Sequence, residues 1–439
     1  MIADLKPYPE YKDSGVEWLG KVPVGWEVVR LRRAIRVRSG DAIPARDERE
    51  AGVPIYGGNG FRGFAARSNT HAPAILIGRV GALCGNIHLV TADVWASEHA
   101  LRVTPTQDVD LRYLASALSA ARLNDLAIRT AQPLINSSIV RDVHIAIPTR
   151  AEQGPIGQFV ATVSKQISAA LRAKRQLVNL LEEEKQAIIH RAVTRGLDPG
   201  VSLKPSGVDW LGDVPEHWEV RRIKSLCSVR RGASPRPIDD PRYFDPHGTH
   251  GWVRIADVSA SDRYLEVTTQ RLSELGRSRS VSLSAGDLFL SIAGSVGKPM
   301  IAAVDCCIHD GFVYFPGLQL GPRFLFFVFA SRAPYSGLGK MGTQLNLNTE
   351  TVGSISVGVP PLEEQQAIVA FLDDEWDRCH RASAAAQRQI SLLEELRTRL
   401  ISDVVTGKLD VREAAARLPD DPDAEVPELD EALGEGIEA

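Results

Sequence analysis

Cysteine is scarce in this chain, and its spacing argues against two classes of protein. Five cysteines occur among 439 residues, at positions 84, 227, 306, 307 and 379, and none forms a C-x-x-C pair. A disulfide-stapled domain or a structural zinc site needs several cysteines at regular spacings. The sequence therefore predicts reduced thiols, no metal site and a cytoplasmic location.

Long hydrophobic runs are also missing. The longest aromatic-aliphatic run, FLFFVFA at 324–330, is far shorter than the roughly 20 residues of a membrane-spanning helix. The first residues, MIADLKPYPEYKDSG, are polar and charged, which is not typical of a signal peptide. We expect an ordinary soluble protein that does not contact a membrane.

Catalytic motifs are absent too. The chain has no G-x-x-x-x-G-K-[ST] loop, no G-x-S-x-G elbow, no H-E-x-x-H pair and no N-P-P-aromatic motif of amino-methyltransferases. GGNGFRG at 57–63 has the form G-x-G-x-x-G, but the residues that follow do not predict the helix of a dinucleotide site. A glycine-rich loop that approaches DNA and a plain tight turn remain equal alternatives. We expect no catalytic residue and no cofactor in this chain.

Negative charge is concentrated at the end of the chain. Residues 413–439 contain ten acidic residues and one base, Arg417, whereas the whole chain has a net charge of −4. Residues 1–412 therefore carry +5. A mildly basic body is compatible with a polyanionic partner, and the tail is predicted to be disordered.

A long helical segment is present twice. The segments 149–195 and 361–406 align without a gap at an offset of 212, so Gln153 matches Gln365 and LLEE at 180–183 matches LLEE at 392–395. Neither has an internal glycine or proline after its first turns. About 40 residues at 1.5 Å each predict a rod of about 60 Å. Gly154 and Pro155 predict that the first helix starts about a turn late.

Each segment carries an apolar stripe with spacings of three and four residues. Such a stripe requires a partner helix, and the other copy is the nearest candidate. The residues of the two stripes are Ile156, Val160, Val163, Ile167, Ala170, Leu177, Leu181 and Ile188 in the first, and Ile368, Leu372, Cys379, Ala386, Ile390, Leu393, Leu400 and Val404 in the second.

A second repeat precedes each helix. SGVEWLGKVPVGWEV at 14–28 matches SGVDWLGDVPEHWEV at 206–220, at an offset of 192. The offset grows to 212 at the helices, so the second globular segment has 20 additional residues. Duplicated ends with different middles favour a shared support for two recognition surfaces. Drift after duplication, without functional meaning, is the alternative.

The segments between the repeats mix short strands with helices, which predicts an α+β fold. The strands expected first are 53–56, 74–77 and 144–147, with a helix near 111–128. In the second segment we expect strands at 252–255, 288–292, 312–315 and 355–359. Capping residues mark Thr149–Glu152 as a helix start, and Gly196 and Gly407 as helix stops.

Twelve polar or basic residues beside glycines and turns are candidates for DNA contact. Arginine and lysine contact phosphates or guanine, and asparagine and glutamine can read adenine. The alternative for each is a solvated charge or a loop residue that satisfies backbone groups. For His99 beside Glu98, and His309 beside Asp310, structural hydrogen bonding is favoured over an acid-base or metal role. The twelve candidates are Asn59, Arg62, Arg79, Gln132 and Asn136 in the first segment, and Arg230, Arg231, Arg236, Lys298, Gln344, Asn346 and Asn348 in the second.

Taken together, the repeated motifs resemble the specificity (S) subunit of type I restriction-modification enzymes. They are YKDSGVEWLGKVPVGWEV and its echo SGVDWLGDVPEHWEV, the helix openings IPTRAEQ and VPPLEEQQAI, and the helix ends LLEEEKQAIIHRAVTRGLD and LLEELRTRLISDVVTGKLD. The resemblance covers nearly the whole chain apart from the acidic tail.

The resemblance implies an α+β protein with a pseudo-twofold internal repeat. Two globular target-recognition domains would be separated by two long antiparallel helices that form a coiled coil. We expect the first recognition domain at 1–148, a central spacer helix at 149–197, the second recognition domain at 198–360, a C-terminal spacer helix at 361–410 and the acidic tail at 411–439.

The resemblance also implies a function. The chain would be the non-catalytic DNA-recognition subunit of a type I complex and would read a bipartite site on double-stranded DNA. It would bind two methyltransferase (modification) subunits and the restriction/translocase subunits, and S-adenosylmethionine, ATP and Mg would be bound by those partners. A coiled-coil scaffold without a DNA role and a stand-alone DNA-modifying enzyme are the alternatives.

Overall fold

The computed structural model describes residues 5–129, 131–336 and 347–418, which form two compact units. Unit 1 lies within residues 1–175 and 387–439, and unit 2 is formed by residues 176–386. Each unit therefore contains one globular segment, the start of the long helix that follows this segment and the end of the other long helix.

Unit 1 is built from two four-stranded sheets and two strand pairs. The strand orders are β10-β6-β7-β5, β4-β11-β8-β9, β1-β2 and β12-β3. The elements are β1 (Tyr11–Asp13), β2 (Lys21–Pro23), β3 (Glu27–Arg30), α1 (Leu31–Ala34), β4 (Ile35–Ser39), β5 (Glu48–Arg49), β6 (Val53–Gly57), β7 (Gly60–Ala65), β8 (Ala74–Gly78), β9 (Ile87–Val90), β10 (Trp95–Ala96), β11 (Ala100–Pro105), α2 (Leu111–Ala120), α3 (Ser137–Asp142), β12 (His144–Ile147) and the first long helix α4 (Arg150–Arg195).

Unit 2 follows the same plan with one larger sheet. Its strand orders are β16-β24-β21-β22-β18, β19-β17-β23-β20, β13-β14 and β15-β25. The elements are β13 (Leu203–Pro205), β14 (Asp213–Pro215), β15 (Glu219–Arg222), α5 (Ile223–Leu226), β16 (Arg230–Arg231), β17 (His250–Val253), α6 (Ile255–Ala260), β18 (Tyr264–Leu265), β19 (Gln270–Leu272), α7 (Glu274–Ser278), β20 (Val281–Leu283), β21 (Leu288–Ser291), β22 (Pro299–Ala302), β23 (Cys306–Ile308), β24 (Phe312–Tyr314), α8 (Pro322–Ala330), α9 (Thr349–Ser354), β25 (Ser356–Val359), the second long helix α10 (Leu362–Val405) and α11 (Arg412–Ala415).

A buried glutamine anchors the start of each long helix. The Gln153 side chain accepts a hydrogen bond from the Asp110 amide at 2.8 Å and donates to the Pro148 carbonyl at 3.1 Å. Gln365 accepts from the Gly321 amide at 2.9 Å and donates to the Pro360 carbonyl at 2.8 Å. Each glutamine joins the start of a long helix to the globular segment before it. The two glutamines that match in the sequence repeat therefore also make equivalent contacts.

The predicted start of α4 at Thr149 is confirmed. The Glu152 carboxylate accepts hydrogen bonds from the Thr149 amide at 3.2 Å and from the Thr149 hydroxyl at 2.6 Å. The expected delay at Pro155 is wrong, because α4 begins at Arg150 and contains Pro155. The contacts of Glu152 and Gln153 hold the first turn, which compensates for the backbone hydrogen bond that proline cannot donate.

A glycine in the left-handed region stands just beyond each long helix, as predicted. Gly196 has a φ of +72° and Gly407 a φ of +74°. A Cβ added to Gly407 would lie 2.4 Å from the Pro23 side chain, so only glycine fits there. The fully buried Trp26 packs against this turn, and Trp218 packs in the same way beside Gly196.

The two long helices pack together and run antiparallel. In unit 2, Glu184 contacts Arg378 at 3.4 Å and the Lys185 ammonium lies 4.5 Å from the centre of the Trp376 ring. Residue numbers on α10 therefore decrease as the residue numbers of their contacts on α4 increase, as expected for antiparallel helices. In unit 1, Arg175 pairs with Glu394 at 2.8 Å. The predicted α+β fold with two long antiparallel helices is confirmed.

The predicted apolar stripe is only partly buried. Ile156, Val160, Val163 and Ile167 are buried, but Leu177 is 41% exposed. The prediction for Leu177 is wrong because a 3.6-residue helix turns away from a strict heptad stripe by about 20° per heptad. On α10 the stripe is more continuous, and seven of its eight predicted residues are buried, from Ile368 to Val404.

Most predicted strands are present. Those at 53–56, 74–77, 144–147, 288–292, 312–315 and 355–359 correspond to β6, β8, β12, β21, β24 and β25. The expected strand at 252–255 is wrong at its end, because Ile255 begins α6. The expected helix near 111–128 ends at Ala120. Among the described residues, no helix has the length and apolarity to span a membrane.

Candidate nucleic-acid interface

In unit 1, four loops meet at the carboxyl end of a parallel strand pair. β6 and β10 run parallel, so Gly57 and Ala96 end at the same edge of the sheet. A Cβ on Gly58 would lie 2.5 Å from the Val80 carbonyl oxygen. The Gly81 amide donates to the Pro133 carbonyl at 2.9 Å. We call residues 57–60, 78–81, 97–99 and 132–135 the edge loops of unit 1.

Arg79 lies at the centre of these loops. Its amide donates to the His99 carbonyl at 2.8 Å and its carbonyl accepts from Ile135 at 2.8 Å. Its guanidinium donates to the Ser39 hydroxyl at 3.3 Å and to the Glu98 carbonyl at 3.4 Å. Arg79 therefore joins three of the loops, and its role in binding DNA stays a prediction.

Asn59 and Arg62 lie on the hairpin between β6 and β7. The GGNGFRG motif is a tight turn, with exposed Asn59 in its two-residue loop. The register shifts at Ile55 and Tyr56, so Arg62 is the extra residue of a β-bulge. Bulges near functional sites redirect side chains. The Arg62 guanidinium lies 3.6 Å from the Glu48 carboxylate on the surface, and the Arg62 side chain is 39% exposed. Asn59 and Arg62 are therefore both accessible.

The polar residues before α3 contribute one exposed side chain and one helix cap. Gln132 is exposed on the edge loops. Asn136 caps α3, because its side-chain oxygen accepts from the Ile139 amide at 2.9 Å. The cap gives Asn136 a structural role, and a base contact by either residue stays a prediction.

In unit 2, a corresponding edge gathers arginines around one carboxylate. β17 and β23 run parallel, so Arg254 and His309 follow at the same edge. Asp310 accepts hydrogen bonds from the Ser234 hydroxyl at 2.6 Å and from the Arg236 guanidinium at 3.3 Å, and its backbone carbonyl accepts from Arg231. We call residues 231–236, 254 and 309–310 the edge loops of unit 2.

The remaining basic candidates of unit 2 have different surroundings. Arg230 is exposed on β16, opposite Tyr314. The Lys298 ammonium donates to the Ser261 carbonyl at 2.6 Å and to the Ser259 carbonyl at 3.3 Å. Burial lowers the pKa of Lys298. The structure thus gives Lys298 a role in fixing the loop after α6, and DNA contact by either residue stays a prediction.

The last three candidates lie before α9. Asn348 caps this helix and accepts from the amides of Glu350 and Thr351, each at 2.9 Å. Gln344 and Asn346 lie outside the described residues.

The two units share one backbone arrangement at this edge, where the chain after β4 of unit 1 matches the segment 231–236 of unit 2. The Gly40 amide donates to the Ala100 carbonyl, and the Gly232 amide donates to the Phe312 carbonyl, each at 2.9 Å. A Cβ on Gly40 would lie 2.2 Å from the Ser97 carbonyl oxygen, and one on Gly232 would lie 2.3 Å from that of His309. Gly40 therefore matches Gly232, and Ser97 matches His309. The 20 additional residues of unit 2 lie between these two points.

The same match aligns the residues around the two histidines. Glu98 is equivalent to Asp310, whereas His309 is equivalent to Ser97 and not to His99. His309 accepts from the Gly311 amide through Nδ1 at 2.8 Å, which is the structural role expected. Burial lowers the pKa of His309. Sequence reasoning missed Ser234 and Arg254 as members of the edge loops.

Arg254 could have been found from its position near the end of the predicted strand 252–255. Its guanidinium donates to the Gln270 side chain at 3.2 Å. Within the ranges that the structure describes, no group of three histidine, cysteine, aspartate or glutamate side chains is close enough to hold a metal ion.

A family model supports a common origin for the two units. The model of the type I restriction modification DNA specificity domain matches twice, over residues 23–179 and 215–384. The two matches cover well over half of the chain, and each includes the edge loops of one unit.

Curated relatives and a solved structure are similar over different shares of the chain. The EcoprrI specificity subunit of Escherichia coli is 27% identical over 179 residues, or 39% of this chain and 44% of that protein. The MjaVIII specificity subunit of Methanocaldococcus jannaschii is 23% identical and spans 94% of this chain and 99% of that protein. A solved chain from a type I R-M system has a TM-score of 0.66 at 18% identity, covering 88% of this chain and 99% of the solved chain, which shows a shared fold.

Proposed function

Because the chain belongs to the type I restriction modification DNA specificity family, we propose that it recognises a bipartite site on double-stranded DNA. Unit 1 reads one half of the site through its edge loops, and unit 2 reads the other half through its own. In this proposal Arg62, Arg79 and Arg231 contact phosphates or guanines, and Asn59 and Gln132 read base edges.

One observation carries this proposal. The two units place the same backbone arrangement at the carboxyl end of a parallel strand pair, yet the side chains on it differ: Ser39 and Ala42 of unit 1 stand where unit 2 has Arg231 and Ser234. A common support with different polar groups is what two readers of different base sequences require. A coiled-coil scaffold without a DNA role does not need this difference.

Selection from random DNA tests the proposal. The chain, assembled with its methyltransferase partners, is incubated with a randomised duplex library, and the bound duplexes are sequenced. We expect two conserved half-sites separated by a spacer of constant length. The affinity for the selected site falls steeply with salt, as expected for phosphate contacts. Recovery of a library without sequence bias would contradict DNA recognition by this chain.

The proposal includes two methyltransferase subunits and the restriction/translocase subunits as partners. Leu180 on α4 and Leu392 on α10 occupy matching positions in the repeat and are 51% and 63% exposed. Leu177, 41% exposed, lies one turn from Leu180, and Leu396, 39% exposed, lies one turn from Leu392, so each helix presents an exposed apolar patch of the kind that marks protein interfaces. Two matching leucines, one in each unit, favour two copies of the same partner.

Charged substitutions test this partnership. We expect Leu180→Glu and Leu392→Glu each to remove one methyltransferase subunit, and the double variant to remove both, as measured by native mass spectrometry. Leu275→Glu serves as the matched control, because Leu275 is 46% exposed but lies on the short helix α7. Full assembly of the double variant would contradict the assignment of these leucines.

We also propose that the chain is non-catalytic, and that its partners bind S-adenosylmethionine, ATP and Mg. The purified chain, given all three with cognate DNA, is expected neither to methylate nor to cleave it. Turnover by the chain alone would favour a stand-alone DNA-modifying enzyme.

A further inference from the structure

Asp310 organises the arginine-bearing loop of unit 2. Its two carboxylate oxygens accept separately from the Ser234 hydroxyl at 2.6 Å and from the Arg236 guanidinium at 3.3 Å. Its backbone carbonyl accepts from the Arg231 guanidinium. One residue therefore holds three side chains of the segment 231–236, two of them cationic.

The backbone of this segment is fixed independently of the carboxylate. The Tyr243 hydroxyl donates to the Arg236 carbonyl at 2.9 Å, and the Ala233 amide donates to the Ile308 carbonyl at 3.2 Å. Gly232 passes so close to His309 that no side chain fits. Because the backbone is already anchored, the carboxylate of Asp310 determines where the Ser234 and Arg236 side chains point and is not needed to form the loop.

A carboxylate in a DNA-binding surface needs a physical reason, because it repels phosphates. The hydrogen bond from Ser234, with the charges of Arg231 and Arg236, lowers the pKa of Asp310 below its usual 3.8. Asp310 is thus ionised at neutral pH. The Arg236 side chain is 75% exposed, so the ion pair gives little stability but leaves most of the guanidinium accessible to a ligand.

Unit 1 lacks the residues for the same arrangement. The positions that match Arg231, Ser234 and Arg236 are occupied by Ser39, Ala42 and Pro44. The Glu98 carbonyl accepts instead from Arg79, which comes from a different strand. One Glu98 carboxylate oxygen is buried without a hydrogen-bond partner among the described residues. The carboxylate-arginine arrangement is therefore specific to unit 2.

We propose that Asp310 is a positioning residue of unit 2, whose carboxylate orients Arg236 for base recognition in one half-site, beside Arg231 on the backbone carbonyl of the same residue. The inference rests on the proposed DNA recognition and adds the residue that sets the geometry of this half of the interface. Asp310 contacts the arginines, and the arginines contact DNA.

Asp310→Asn separates positioning from simple charge. The substitution preserves size but removes the charge and one acceptor oxygen. If the amide oxygen accepts from Arg236, the NH2 group faces Ser234, whose hydroxyl must turn to accept; in the other orientation the NH2 group faces the Arg236 guanidinium, which cannot accept. Loss of a negative charge alone would strengthen binding to every duplex. Loss of positioning weakens binding to the cognate site by about tenfold, because a correctly placed arginine discriminates against the wrong base. We therefore expect opposite changes: weaker cognate binding and stronger binding to random duplex.

The measurement uses the assembled complex and three duplexes. One carries both half-sites, and each of the others has one half-site randomised. Asp310→Asn is expected to lose discrimination only for the half-site of unit 2, and Asp310→Glu to restore part of it. Glu266→Gln is the control for charge, since Glu266 is an exposed carboxylate of the same unit. It is expected to leave discrimination in both half-sites unchanged.

Two results would overturn the inference while leaving DNA recognition intact. One is a variant that discriminates both half-sites as well as the wild type does. The other is an equal increase in affinity for cognate and random duplexes, which would show that Asp310 acts only through its charge. If the wild-type complex itself bound all duplexes equally, the proposed function would fail instead.

Discussion

The two units differ least where the long helices enter and leave them, and most at the edge loops. Trp26 and Trp218 are both buried beside the glycine that ends a long helix, and Gln153 and Gln365 make matching hydrogen bonds. At the edge loops the backbone is retained, but Arg79 carries out in unit 1 the contact that Arg231 makes in unit 2. The helix attachments have therefore changed less than the side chains of the edge loops within one duplicated chain.

Unit 2 also has a helix attachment for which unit 1 lacks the residues. Arg263 pairs with Asp373 of α10 at 2.5 Å, and the Trp376 indole donates to Asp262 at 2.6 Å. The matching positions on α4 are Ala161 and Ser164. Asp262 and Arg263 belong to the segment between Gly232 and His309, which contains the 20 additional residues. These additional residues therefore accompany an attachment of the globular segment to its helix.

The largest expected effect tests whether the two supports are equivalent. Trp218 is fully buried and packs against Phe324, and Trp26 is equally buried. We expect Trp218→Ala and Trp26→Ala each to lower the free energy of unfolding by about 4 kcal/mol, since both leave a large cavity. Urea unfolding of the full chain measures this. If the losses in free energy of unfolding differed between the two variants by more than half of the larger loss, the two supports would not be equivalent.

A phenylalanine at each position sharpens the same comparison. The Trp218 indole donates to Glu364 at 3.0 Å, whereas the buried Trp26 indole nitrogen has no hydrogen-bond partner among the described residues. Trp218→Phe should therefore cost about 1 kcal/mol more than Trp26→Phe. Equal costs would show that the indole hydrogen bond does not contribute.

The next effect concerns the attachment that is found in unit 2. Asp373→Ala leaves Arg263, which is 14% exposed at its side chain, without its closest partner. We expect a loss of about 2–3 kcal/mol in urea unfolding, less than for a fully buried pair because solvent screens both groups. Asp108→Ala is the control, since its pair with Arg150 is on the surface. Its cost should stay below about 0.5 kcal/mol. A similar cost for both variants would contradict the role given to Arg263.

The glutamine anchors should be equally important in the two units. Gln153→Leu and Gln365→Leu each leave a partly buried amide and a buried carbonyl unpaired. We expect each to cost about 2 kcal/mol in urea unfolding. Hydrogen exchange should show faster exchange of Asp110 in the first variant and of Gly321 in the second. If the exchange of the Asp110 or Gly321 amide were unchanged in its variant, the glutamine that binds this amide would not be needed as an anchor.

The smallest expected effect depends on pH and distinguishes His309 from Ser97. Burial, together with the charges of Arg254 and Arg231, holds the pKa of His309 below 6.5, although Asp310 opposes this. The unfolded chain then binds the proton more readily than the folded chain. The contribution of neutral His309 to stability is complete above pH 6.5 and is lost as the pH falls from 6.5 to the lowered pKa.

Replacement by the residue of unit 1 checks this dependence. We expect the difference in free energy of unfolding between the wild type and His309→Ser to be larger at pH 7.5 than at pH 5.5. A difference that grows towards pH 5.5 would mean that the folded protein prefers protonated His309.

Much of the fold could be predicted because duplication marks it twice. The helix starts at Thr149 and before Gln365, and the stops at Gly196 and Gly407, depend on local chemistry that is visible in the sequence. The exposure of Leu177 could not be predicted, because the residues at a helix interface depend on how the stripe turns along the partner.

The candidate site was less accessible to sequence reasoning. Arg79, Asn59 and Gln132 were found from their glycines and turns, but their convergence depends on a parallel strand pair of only two residues, Trp95–Ala96 with Ile55–Tyr56. Asp310 was noticed only as a neighbour of His309. Its contacts with Ser234 and Arg236 join positions more than 70 residues apart, and no local pattern predicts them.

The most direct test of independent reading by the two units is an exchange of one recognition segment. Residues 27–148 are replaced by the corresponding segment of a relative with a different target, and methylated adenines are mapped by genome sequencing in cells that also express the methyltransferase partners. We predict that one half of the methylated motif changes while the other half stays the same. A change in both halves, or in neither, would contradict it.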